Sequence, residues 1–98
     1  EMTTEEKAKL IAGVLKASGD LKGAKLRIML ELYTATETPL INVLATGCGF
    51  TAPAISRAID ELELSGLARR KRDEKKDRRW VYVHITAKGK NALDKILA

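Results

Sequence analysis

From Arg69 to Arg79 the chain reads Arg-Arg-Lys-Arg-Asp-Glu-Lys-Lys-Asp-Arg-Arg, eight basic residues against three acidic ones. Guanidinium and ammonium groups at that density can neutralise successive phosphates, which is the electrostatic work of nucleic-acid binding. A charge run by itself is most often a solvated or disordered arm. This one is bracketed by apolar residues, Leu67 and Ala68 before it and Trp80 to Ile85 after it. Val81, Val83 and Ile85 alternate with Trp80, Tyr82 and His84, the period of two that a strand requires. The pattern predicts a strand, a charged loop and a second strand, so the basic groups are held on a hairpin over residues 67–86. Charge is distributed to match. Residues 1–65 carry seven Lys/Arg and nine Asp/Glu, whereas residues 66–98 carry eleven and four. Such asymmetry is the footprint of a polyanionic partner. An anionic membrane surface would instead call for basic residues beside the apolar face of a helix, and no membrane partner is expected.

Other chemistry finds little support. His84 is the sole histidine and has no nucleophile near it in sequence. No paired-cysteine, zinc-binding or phosphate-cradling motif occurs, and Gly47-Cys48-Gly49 is too short for the last and reads as a turn. Asp60, Glu61 and Glu63 cluster on one predicted helix, where a solvated face accounts for them. Neither an enzyme nor a metal or cofactor site is expected. A single cysteine forms no internal disulfide and suits a reducing compartment. Cys48 has no Lys, Arg or His beside it to favour the thiolate, so it reads as a small buried hydrophobe before it reads as a sensor.

The basic hairpin must be positioned by something, and the stretch directly before it supplies the element. Thr-Ala-Pro-Ala-Ile-Ser-Arg-Ala-Ile-Asp-Glu-Leu begins at Thr51, a good N-cap, with Pro53 in the first turn where amides lack helical partners anyway. Ile55, Ile59 and Leu62 recur at i, i+4 and i+7 and make one apolar face. Pro53 and Arg57 lie opposite, flanked by Ala54, Ser56, Asp60 and Glu61. Gly66 is the expected stop. Alone this would be an ordinary amphipathic helix. A helix followed at once by a basic hairpin is the arrangement a winged helix-turn-helix presents to DNA, the helix in the major groove and the hairpin along the backbone. The candidate DNA-reading residues of the helix are Thr51, Ala52, Pro53, Ala54, Ser56 and Arg57. Its first turn offers Ala52, Pro53 and Ala54, which can touch a thymine methyl but cannot make a bidentate base contact. Arg57 is the chief base or phosphate ligand. The expectation is modest base specificity, strong salt dependence and a preference for A·T-rich flanks.

The remaining segments are read as scaffold. Ninety-eight residues with 45% hydrophobic and 32% charged content make one small folded domain. Residues 3–18 form a first helix with a capping box from Thr3 to Glu6 and an apolar stripe of Leu10, Ile11, Val14 and Leu15. Residues 21–35 form a second, apolar on two sides and therefore central. In residues 36–50, the first half of the helix-turn-helix, Thr38 is read as the cap and Pro39 as the first helical residue. Leu40, Val43 and Leu44 are read as core-facing, Thr46 to Gly49 as the turn. The helix-turn-helix spans 38–65. A final helix over 87–98 is capped by Thr86 and buries Leu93, Ile96 and Leu97. The fold class is α+β and mostly helical: a three-helix core, a two-stranded antiparallel wing and terminal helices. No apolar run approaches membrane-spanning length and no leader peptide is read, so a cytoplasmic, nucleoid-associated location is expected.

Taken together, Ser-Arg-Ala-Ile-Asp-Glu-Leu-Glu-Leu-Ser-Gly-Leu-Ala-Arg-Arg and Asp-Arg-Arg-Trp-Val-Tyr-Val-His-Ile-Thr-Ala-Lys-Gly resemble the core of the MarR family of winged-helix transcription regulators. The shared parts are a recognition helix ending in Leu-x-x-x-Gly-Leu, an Asp-x-Arg wing (Asp77 to Arg79) and Ile85-Thr86-Ala87-Lys88-Gly89 leading into the last helix. The resemblance covers about Leu26 to Leu93. It implies double-stranded DNA as partner, a homodimer to which the first helix contributes, and a repressor's role. It implies wing ligands Arg70, Arg72, Lys75, Lys76, Asp77, Arg78 and Arg79, with Asp77 orienting an arginine and Arg78 or Arg79 entering the minor groove. The family's usual pair of long C-terminal helices is reduced here to about three turns, so a minimal member is expected and a small-molecule effector is not. Two other readings stand beside it: a structural DNA-binding protein for plasmid partition or nucleoid organisation, and a winged-helix module that binds protein.

Overall fold

The computed structural model describes residues 1–73 and 80–98. Five helices and two strands follow one another as α1 (Thr4–Ser18), α2 (Ala24–Thr34), α3 (Ile41–Cys48), α4 (Ala52–Leu64), β1 (Ala68–Arg72), β2 (Val81–Ile85) and α5 (Ala87–Leu97). This is the mostly helical winged-helix architecture expected, with the antiparallel pair β1–β2 as the wing.

One core unites α2, α3, α4, the wing strands and α5. Ile28 and Met29 of α2, Ile55, Ile59 and Leu62 of α4, Val83 of β2 and Leu93 of α5 are all essentially without solvent contact. Each such side chain stabilises the fold by about 1.5–3 kcal/mol through burial. The central role read for the second helix holds, since Leu26, Ile28, Met29 and Leu32 are buried on it.

The ends of α4 show how local chemistry sets its bounds. Thr51 Oγ1 accepts from the Ala54 amide at 3.3 Å, and Pro53 occupies the first turn. At the other end Gly66 adopts φ +73, which lets the Gly66 and Leu67 amides reach back to the Glu63 and Leu62 carbonyls at 3.0 and 2.9 Å. A side chain at that φ would be strained, so glycine closes the helix cheaply. Lys88 Nζ donates to the Ser65 carbonyl at 2.9 Å, adding a cation where the helix dipole is negative.

Thr86 performs two tasks. Its hydroxyl accepts from the Gly89 amide at 3.0 Å, capping α5, and donates to the Gly66 carbonyl at 2.6 Å. Its own amide donates to the Leu67 carbonyl at 3.1 Å. Gly89 is buried where a Cβ would sit 2.1 Å from that same Leu67 oxygen. The Thr-x-x-Gly pattern is thus the joint at which α5 is bolted to the α4–β1 turn.

Three expectations for residues 36–50 are corrected. Thr38 and Pro39 do not start α3, whose N-cap position is Leu40 with no side-chain cap. Pro39 and Leu40 are drawn instead to the wing: the Val83 amide donates to the Pro39 carbonyl at 3.0 Å, and Leu40 forms an isolated antiparallel bridge to Tyr82. Proline donates no amide, but its carbonyl serves at a sheet edge. With the helix beginning two residues later, Leu44 and Ala45 are buried and Ile41 and Cys48 pack against them, while Val43 turns outward at 56% exposure. The helix also runs through Thr46, Gly47 and Cys48, so only Gly49, in the left-handed region at φ +75, makes the turn.

Helix α1 stands apart. Its capping box forms, with Glu6 N–H to Thr3 Oγ1 at 3.1 Å and Thr3 N–H to Glu6 Oε1 at 3.3 Å. Of its residues only Ser18 is buried, and Leu10, Ile11 and Leu15 are 57%, 59% and 56% exposed. It packs against α5. Leu97, expected inside, is 42% exposed at the end of α5, because the last turn outruns the core.

Candidate nucleic-acid interface

The exposed N-terminal turn of α4 and the wing lie on neighbouring elements. Thr51, Ala52, Pro53, Ala54 and Arg57 are all exposed, and Ile55, Ala58 and Ile59 between them are buried. The apolar stripe thereby fixes which way the helix rolls and leaves Arg57 outward. Arg57 makes no hydrogen bond or ion pair among the described residues. Ser56 is half-buried and faces the wing instead.

The wing register pairs Ala68 with Ile85, Arg69 with His84, Arg70 with Val83, Lys71 with Tyr82 and Arg72 with Val81. Opposed residues share a face. Ala68, Arg70 and Arg72 therefore share the inner side with Val83, and Arg69 and Lys71 share the outer side with Tyr82 and His84. Four of the basic residues thus belong to a strand rather than a loop. Strand placement spaces the alternate residues Arg69 and Lys71 about 6.6–6.8 Å apart on one face, a separation near that of successive phosphates along one strand. Both are exposed. Both belong to the basic run but not to the expected wing ligands, although a parity opposite to that of apolar Ala68 marks them in the sequence as outward-facing. Lys75, Lys76, Asp77, Arg78 and Arg79, and with them the expected aspartate–arginine pairing, lie outside the described residues.

Arg70 is committed within the protein. Its backbone amide donates to Glu63 Oε2 at 3.1 Å, and its guanidinium pairs with Glu63 and, at 2.7 Å, with Asp60. A second guanidinium nitrogen donates to the Ser56 carbonyl at 2.9 Å and to Ser56 Oγ at 3.2 Å. Sequence reading missed this because residues 56, 60, 63 and 70 are brought together only by the turn at Ser65-Gly66. Two consequences are plain. Ser56 and Arg70 spend polar groups on each other, and the carboxylates of Asp60 and Glu63 are each paired with the same cation.

Two titrations depart from ordinary values. Burial pushes the Cys48 thiol upward, with nearby Arg27 pulling the other way and Glu31 adding to the rise. The cysteine is half-buried beside the core, as the sequence suggested. Tyr33 is raised by the hydrogen bond its hydroxyl donates to Asp94 of α5, which favours the protonated phenol. Neither group lies on the α4–wing surface. No group of three His, Cys, Asp or Glu able to hold a metal occurs among the described residues, and none of their helices is long and apolar enough to cross a membrane.

Comparison with solved structures gives the same architecture. The transcriptional repressor CouR bound to a 23-mer DNA duplex superimposes with a TM-score of 0.74 at 24% identity, over 92% of this chain and 63% of that one. The Staphylococcus aureus MepR–DNA complex gives 0.72 at 21% identity, over 93% and 73%. A MarR-family transcriptional regulator from Silicibacter pomeroyi gives 0.71 at 27% identity, over 92% and 60%. The chain therefore spans a little under two thirds of the length of CouR and of the Silicibacter protein. No curated protein matches it. The profile of the MarR family matches residues 19–79, from the end of α1 to the wing. With its winged-helix fold, that match places the chain in the MarR family of transcription regulators.

Proposed function

We propose that the protein is a dimeric, sequence-specific double-stranded DNA-binding regulator that represses transcription, and not an enzyme. Residues 1–98 act as one winged-helix domain, with the helix-turn-helix over 38–65, the wing over 67–86 and the terminal helix over 87–98. The first turn of α4 enters the major groove, where Thr51, Ala52, Pro53 and Ala54 approach the bases and Arg57 supplies the long-range hydrogen-bonding group. Arg72, Lys75, Lys76, Arg78 and Arg79 follow the backbone and the minor groove, with Asp77 orienting an arginine. Arg69 and Lys71 join them from the outer face.

The observation that carries this reading is the pairing of a donor-poor, exposed helix start with a strand bearing four consecutive basic residues, Arg69 to Arg72. The DNA complexes of CouR and MepR support it by likeness of fold. Dimerisation is supported by the exposed stripe of Leu10, Ile11 and Leu15 on α1, which a second copy would cover. The protein works in the cytoplasm at the nucleoid, without a cofactor, and no effector is assigned. The scarcity of base-reading donors favours one second reading, an architectural protein with little sequence preference.

Selection from a random duplex library at moderate salt tests the proposal. An enriched inverted repeat is expected, its spacing giving the distance between the two recognition helices. Binding without enrichment beyond A·T content would replace the regulator by the architectural reading. Absence of binding would overturn both.

A further inference from the structure

Ser56, Asp60 and Glu63 fall at i, i+4 and i+7 of α4 and make one polar stripe along its wing-facing side. All three are contacted by Arg70 of β1. Counting its backbone amide, Arg70 spends five contacts on two turns of the recognition helix. Its side chain keeps 24% of its accessibility, while that of Asp60 keeps 63%. Only arginine can do this: a planar fork reaches two carboxylates and a carbonyl at once, whereas lysine offers a point charge. The groove side of α4, carrying Pro53 and Arg57, points elsewhere.

We propose that Arg70 is a positioning residue for DNA recognition, a clamp that fixes the recognition helix and the wing as one reading head and does not itself touch DNA. The inference rests on the DNA-binding reading above. Main-chain bonds from Thr86 and Val83 and the burial of Ala68 hold the base of the wing; beyond Ala68 the clamp ties β1 to α4, and looseness there would add orientational entropy to be lost on binding.

The test separates positioning from contact. In a Cys48→Ser background, spin labels at Ala54→Cys and Lys71→Cys report the wing-to-helix distance in the free protein. A narrow distribution is expected with Arg70 present, and a broadened one in Arg70→Lys and in Glu63→Gln, both chosen to keep packing intact. On a duplex, Arg70→Ala and Arg70→Lys are each expected to weaken binding about tenfold, as for coupled residues in one network. The dependence of log K on log salt should stay unchanged in Arg70→Ala, because each lost phosphate contact would lower that slope by about 0.9. The clamp is overturned if the distance distribution is as narrow in Arg70→Lys and Glu63→Gln as with both residues intact. It is equally overturned if the slope drops by about one in Arg70→Ala, or if lysine at position 70 restores full affinity. If the unmodified chain fails to bind duplex at all, the functional reading fails, and the distance measurement still decides whether the clamp exists.

Discussion

Gly89→Ala reverses the usual rule for helices. At an exposed helical site the change from glycine to alanine stabilises by about 1 kcal/mol. At Gly89 the added methyl would lie 2.1 Å from the Leu67 carbonyl oxygen and 2.9 Å from both Ile85 Cγ1 and Met29 Cε. Met29 and Ile85 can yield a little; the Leu67 oxygen cannot, because it accepts the Thr86 amide at 3.1 Å. Relief requires α5 to lift by more than an ångström, which loses that hydrogen bond, about 1 kcal/mol, and opens the packing around Leu93. Overpacking costs about 1–3 kcal/mol or more. Set against the propensity gain, the net destabilisation is about 1–3 kcal/mol. For a domain of this size that lowers Tm by roughly 5–25 °C. Thermal and urea melts followed by circular dichroism measure it, with Gly13→Ala as the control, since nothing lies within 4 Å of a Cβ there. A melting temperature for Gly89→Ala equal to or above that of the unmodified protein would refute the close-approach argument.

Four further outcomes are expected. Thr51→Ala removes the cap of α4 and lowers stability by about 1 kcal/mol, read from urea melts. Arg57→Ala weakens duplex binding by about 1–3 kcal/mol and alters the preferred sequence, while leaving the melting temperature within error; library selection with both proteins checks the second part. Ile11→Glu converts a dimer to a monomer without unfolding it. A twofold interface loses the residue twice, about 3–6 kcal/mol at 1.5–3 kcal/mol per buried side chain, and sedimentation across a concentration series reads the change. Cys48 reacts with a disulfide reagent more slowly than a free cysteine peptide at pH 7–8, because burial keeps the thiol protonated. A rate at or above that of the peptide would show the thiolate to be favoured.

What the sequence made legible was local. Thr51, Thr86 and Gly66 announce helix ends because a cap or a positive φ depends on neighbours within a few residues. Ile55, Ile59 and Leu62 announce a buried face because their period is that of the helix. The start of α3 was misread for the same reason. Thr38-Pro39 is a sound local signal for a helix start, and it was overruled by backbone pairing with Val83, more than forty residues away. Val43 followed that error outward. In the candidate interface Arg57 was legible, since the apolar stripe fixes the roll of α4. Arg70 was not, because its partners are acidic residues on another element, and a charge run does not tell which of its members is already engaged. The parity of β1 held a partial clue, as Arg70 is two residues from buried Ala68 and opposite buried Val83.

The base of the wing is held to the body by main-chain bonds, the Val83 amide to the Pro39 carbonyl and the Thr86 amide to the Leu67 carbonyl, while the β1–β2 ladder holds its two strands together. Such bonds ask almost nothing of side-chain identity. The outward positions 69, 71, 82 and 84 can therefore exchange residues without disturbing the frame. A lineage carrying this fold can retune which surface it reads one substitution at a time, and each intermediate along the way remains a folded protein on which selection can act.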